Sequence, residues 1–172
     1  MPRGIPWPSR WLPPPLVEVV PDGYRVNLGR LERLVLQQTF DDLRVLLADH
    51  DPATRRLFPT AYVDDAKRDA EYQELVGDEL ARSQLDALDT VERSIDGSVI
   101  GRDELEQWMR SVNAVRLVIG TQLDISEDME RVDPSDPDYA RYGVYEFLSN
   151  LLAWIVATLF ETGPEPTGET PA

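Results

Sequence analysis

The chain has 172 residues, 42% of them hydrophobic, which suits one domain of ordinary size with its own core. Its formal net charge is -15, with 32 acidic against 17 basic residues, and a surface that negative repels nucleic acid and anionic membranes at long range. The absence of cysteine excludes disulfides, thiol catalysis and zinc-thiolate sites, and a single histidine, His50, leaves little for a nitrogen-ligated metal.

Along the chain, residues 1–16 form a proline-rich N-terminal arm. Half of the 14 prolines fall before Asp22, and the arm also carries Trp7 and Trp11. Such a segment is extended or polyproline-like, because each ring fixes φ and removes a donor. Its two tryptophans are expected to dock on the body or on a partner. Val17 to Val20, the turn Pro21-Asp22-Gly23 and the alternating Tyr24, Val26 and Leu28 predict a short hairpin. From Gly29 to Asp49 the apolar residues Leu31, Leu34, Val35, Leu43, Leu46 and Leu47 take helical spacing. Asp51-Pro52 opens a short helix ending near Phe58-Pro59. Asp64-Asp65 starts a long polar helix with a sparse apolar stripe from Tyr72 to Ile95. Val99-Ile100 is a brief extended piece. The next helix runs from Arg102 to Gln122, with Trp108, Val112, Val115 and Ile119 on one face. Ser135-Asp136-Pro137 predicts the start of a final helix that Gly163-Pro164 stops near Glu161. This helix is apolar almost all round near its end, which places it centrally or at an oligomer interface. The expected fold is therefore all-α: a bundle of four to five helices over residues 17–162, a short N-terminal hairpin, and a disordered tail over 163–172.

No signal-peptide pattern opens the sequence. The apolar stretch Leu148 to Phe160 is about 13 residues and includes Ser149 and Asn150, where a membrane span needs roughly 20. A cytoplasmic protein without membrane contact is expected. The basic residues are scattered, all but Lys67 being arginine, so no patch dense enough for direct nucleic-acid binding is expected either. That arginine bias points to a GC-rich genome.

No pattern of catalytic or cofactor residues stands out, and a non-enzymatic protein is expected, with no cofactor and no metal. Asp124, Ser126 and Asp128 begin like a calcium loop, but Met129 and Ser135 stand where its glycine and bidentate glutamate belong. His50 lies between Asp49 and Asp51 and reads as a helix-end histidine. Asn113 and Arg116 are three apart on one side of a helix that also carries Trp108. Arg116 could form a planar fork with Glu146 of the last helix, either as an ion pair that registers two helices or as a polar patch that recognises a partner. Phe58 and Tyr62 lie in Leu57–Asp65, either a structural elbow or a recognition loop.

These residues carry a resemblance. LFPTAYVDD followed by EYQEL, WMRSVNAVRLVIGTQLDI and YGVYEFLSNLLAWIV occur in the order found in an actinobacterial family known as domain of unknown function 2017 and also described as actinobacterial oxidative stress regulators. The resemblance covers about Val17 to Phe160. It implies a small cytoplasmic helical protein without enzymatic activity, a transcriptional regulator that contacts a sigma factor of RNA polymerase. A disulfide switch is excluded here, since the chain has no cysteine. The expected function is a helical protein-interaction module, with Phe58, Tyr62, Trp108, Asn113, Arg116 and Glu146 as candidate contacts. Two alternatives stand beside it. One is a homodimer through Tyr145, Leu148, Leu152 and Ile155, and the other is a carboxylate enzyme using a divalent metal.

Overall fold

The computed structural model describes residues 15–125 and 132–163. The arm before Pro15, most of the calcium-like loop and the tail after Gly163 lie outside the described residues.

Two short strands open the described chain, β1 (Val17–Val20) and β2 (Gly23–Val26), paired antiparallel from Val17↔Val26 to Val20↔Gly23. The hairpin is not alone. Val99–Ile100 joins as β3, pairing with β2 through Tyr24↔Ile100, so the expected hairpin is two-thirds of a three-stranded sheet. Gly23 makes room for that third strand. Its φ is +142°, and a Cβ there would come within 2.2 Å of the Ile100 carbonyl oxygen. The fold is thus mainly helical with a small sheet rather than purely α.

Helix α1 (Arg30–Ala48) starts where Glu32 accepts from the Gly29 N–H at 2.6 Å. Its seam is Leu36, Phe40, Leu43 and Leu47. Leu31 and Leu34, which the apolar spacing also includes, are 74% and 54% exposed. At 3.6 residues per turn they fall opposite Leu36 and Phe40. His50 ends the helix in left-handed backbone, φ 49°, and is exposed, as expected of a helix-end residue. Asp51 then caps a 3₁₀ turn (Pro52–Leu57) by accepting from Ala53 N–H at 2.7 Å.

Helix α2 (Ala66–Ser94) is capped by Asp65, yet its buried residues, Ala87, Leu88, Val91 and Ser94, all lie in its last turns. Leu75, in the first half of the expected stripe, is 81% exposed. Arg44 ties α1 to this buried end, donating to Glu92 at 2.8 Å and Asp89 at 2.7 Å. The hydrogen bond to Glu92 leads in raising the guanidinium further above its ordinary range.

Helix α3 (Arg102–Gln122) is the hub, packed against α4, α2, α1, β2 and the 3₁₀ turn. Helix α4 (Tyr139–Thr162) lies along it. The final helix starts later than Ser135-Asp136-Pro137 suggests. Asp133 accepts from Ser135 N–H and Asp136 from Asp138 N–H, each at 2.8 Å, so these side chains close turns instead of capping a helix. The far end of α4 is clamped. Arg102 donates to the carbonyls of Leu159 (3.1 Å) and Gly163, and the Tyr24 hydroxyl donates to Thr162 Oγ1 at 2.9 Å.

The expected central place of the last helix belongs instead to α3. Leu148 and Ile155, half of the expected dimer seam, are 0% exposed and pack into the core of the same chain.

Candidate partner-binding surfaces

The middle motif folds as a single helix, so its residues are sorted by the helical period. Trp108 is 0% exposed, and its indole N–H donates to Ser94 Oγ at 2.9 Å. A side chain so enclosed touches no partner. It is a core anchor whose polar edge is satisfied within the fold.

Asn113 and Arg116 do come together, one turn apart and half-buried. Arg116 Nη2 donates to Asn113 Oδ1 at 3.2 Å, and Nη1 donates to the Tyr145 hydroxyl of α4 at 3.1 Å. The guanidinium carbon also lies 5.7 Å from the Tyr145 ring centroid, within cation–π range. Glu146 does not complete this site. It is exposed and makes no ion pair with Arg116. One step along a helix turns a side chain by roughly 100°, and Tyr145 takes the inward direction.

Gly120 brings Tyr145 close. A Cβ at that position would stand 3.1 Å from Tyr145 Cε2 and 3.8 Å from Arg56 Nη1. Arg56, from the 3₁₀ turn, therefore also approaches Gly120. The expected pair of charges is replaced by an arginine on a tyrosine. No carboxylate lies within 4.0 Å of Arg116 or Arg56 among the described residues, and Arg116 Nε is buried without a hydrogen-bond partner. Tyr145 and Gly120 were visible in the sequence but carried no polar partner pattern. Arg56 is remote in the chain, and only the packing of the 3₁₀ turn on α3 brings it in.

Phe58 and Tyr62 are half-buried and behave as an elbow. Asp69 of α2 accepts from the backbone N–H groups of Ala61 (2.7 Å) and Tyr62 (3.1 Å), and Gln73 donates to the Pro59 carbonyl at 3.0 Å. The Tyr62 ring packs under Arg68 at 4.2 Å and edge-on to Tyr72 at 6.0 Å. No hydrogen bond or ion pair among the described residues links this elbow to Arg116.

A different surface appears on α4. Trp154 and Val156 are each 46% exposed and Phe160 88%, with Ala153 and Ala157 exposed between them. Val19 of β1, 59% exposed, lies on the same sheet face as Tyr24, whose hydroxyl holds the end of α4. By length and composition α4 could also cross a membrane, and 28% of its most apolar window is buried. An open groove of about 380 Å³ runs between α1, α3 and the start of α4, lined mainly by Leu43, Leu46, Val115, Val118, Ile119 and Val144. Among the described residues no group of three or more His, Asp or Glu side chains is placed to hold a metal ion.

A family model described as "Domain of unknown function (DUF2017)" matches residues 16–159. No curated protein and no solved structure matches the chain.

Proposed function

The chain belongs to the DUF2017 family, and from that premise we propose that it is a non-enzymatic protein-interaction module that receives a partner's carboxylate at Arg116. The observation carrying this reading is a guanidinium with no carboxylate partner among the described residues. In a chain of net charge -15, a half-buried arginine is held among the described residues by two neutral acceptors, Asn113 and Tyr145, and by no carboxylate. Those acceptors fix the fork without neutralising it, which suits a planar, charge-assisted contact with an incoming aspartate or glutamate. Arginine and tyrosine are also the residue types that dominate interface energetics.

The partner proposed is a sigma factor or another part of RNA polymerase, in a cytoplasmic, actinobacterial oxidative-stress response. This finer reading is supported by the family resemblance, and the acidic surface agrees with protein rather than nucleic-acid contact. An affinity pull-down of the tagged chain and of Arg116→Ala from the native cytosol tests it, with bound proteins identified by mass spectrometry. The expected result is a polymerase or sigma subunit retained by the native chain and lost from a variant that still folds cooperatively. Collapse of the variant's folding, or unchanged retention, contradicts it.

A further inference from the structure

The outer face of α4 holds more apolar surface than its own fold covers. Trp154, Val156 and Phe160 are exposed on the last three turns of a helix whose inner side is fully packed. The chain itself carries a segment of matching chemistry. The arm before Pro15 contains Ile5, Trp7, Trp11 and Leu12, two cations, Arg3 and Arg10, and no acidic residue. The patch is bordered by Glu161, and the chain as a whole is strongly acidic. Arm and body are therefore complementary both in charge and in apolar character.

The point of attachment also fits. The Pro15 carbonyl accepts from Asn27 Nδ2 at 3.0 Å, which fixes the arm's root at the start of β1. β1 packs on α4, and Val19 pairs with Tyr24, whose hydroxyl holds the end of that helix. In an extended proline-rich chain at about 3.1 Å per residue, Trp11 lies within ~12 Å of that root and Trp7 within ~25 Å. Trp7 and Trp11 are then ~12 Å apart, while Trp154 and Phe160 stand ~9 Å apart along the helix axis and about 120° apart around it, flanking the exposed Ala153 and Ala157.

We infer that the N-terminal arm folds back onto the outer face of α4, seating Trp7 and Trp11 against Trp154, Val156 and Phe160. A second copy of the chain is a poorer occupant, because two bodies of net charge -15 repel one another where the arm is attracted. Docking from within the same chain also avoids the entropy of bringing two molecules together. This inference does not depend on Arg116 having a protein partner.

The absence of cysteine makes disulfide trapping in the full chain a clean test. Ser9→Cys with Ala157→Cys places one thiol between the arm's tryptophans and the other in the middle of the patch. Ser9→Cys with Ser83→Cys, on exposed α2, is the control. The expected product is a monomeric intrachain disulfide that forms about tenfold faster than in the control, as the local concentration of a docked arm requires. Equal rates, or disulfide-linked dimers as the main product, overturn the inference. Tryptic cleavage at Arg10-Trp11 gives a second readout. Phe160→Asp removes a side chain 88% exposed, so the fold is not at risk, and cleavage is expected about tenfold faster than in the native chain. An unchanged cleavage rate also overturns it.

Discussion

Helices α3 and α4 are similar in length, 21 and 24 residues, and pack against each other, yet they use their apolar residues in opposite ways. α3 is the more polar in sequence and buries ten residues, among them Ser111 and Thr121. α4 is apolar nearly all round and buries five. Burial is set by how many neighbours surround a helix. α3 is flanked by α1, α2, α4, β2 and the 3₁₀ turn, so even small polar residues are enclosed, and Thr121 satisfies its hydroxyl on the Leu117 carbonyl at 2.8 Å. α4 lies at the periphery, so its second apolar face is left for something other than the core of the described chain.

Substitutions sharpen this contrast in decreasing order of effect. Trp108→Ala, at the centre of α3, should cost about 3–5 kcal/mol and leave the Ser94 hydroxyl without its donor. Equilibrium denaturation would show it as a large fall in the midpoint. Leu151→Ala, on the inner side of α4, should cost about 2–4 kcal/mol, since that side is as enclosed as α3. A loss well under 1 kcal/mol would show that α4 contributes little to the core. Gly120→Ala forces the Tyr145 ring away from its 3.1 Å approach and should cost about 1–2 kcal/mol. Because Tyr145 holds Arg116, the same substitution should weaken partner retention in the pull-down. Phe160→Ser, on the outer face, should cost at most about 1.5 kcal/mol, the contribution of a docked arm alone.

The helices were legible because each carries its own local signals. Asp51 and Asp65 do cap the elements they precede, and α2 ends at Ser94, where the apolar stripe to Ile95 runs out. The sheet was only partly legible. β3 is two residues long, and its pairing with Tyr24 joins positions more than seventy apart in the chain, which no local pattern encodes. The site failed in a similar way. Asn113 and Arg116 share a helix and are legible together, but Arg116 reaches Tyr145 rather than Glu146. The identity of the inward residue depends on the rotation of α4 against α3, and that rotation is fixed by Leu148, Leu151 and Ile155 seating in the core. Trp108 looked like a contact residue because aromatic residues serve both cores and interfaces. Only its enclosure and its bond to Ser94 decide between the two.

Hydroxyl-radical footprinting of side chains tests the division between core and outer face most directly, applied to the native chain and to the Trp7→Ser/Trp11→Ser variant. Trp108 is expected to stay unlabelled in both, while Trp154 and Phe160 are labelled several-fold faster once the arm's tryptophans are gone. Trp154 and Phe160 remaining as protected as Trp108 in the variant would place α4's outer face in a core or a subunit interface.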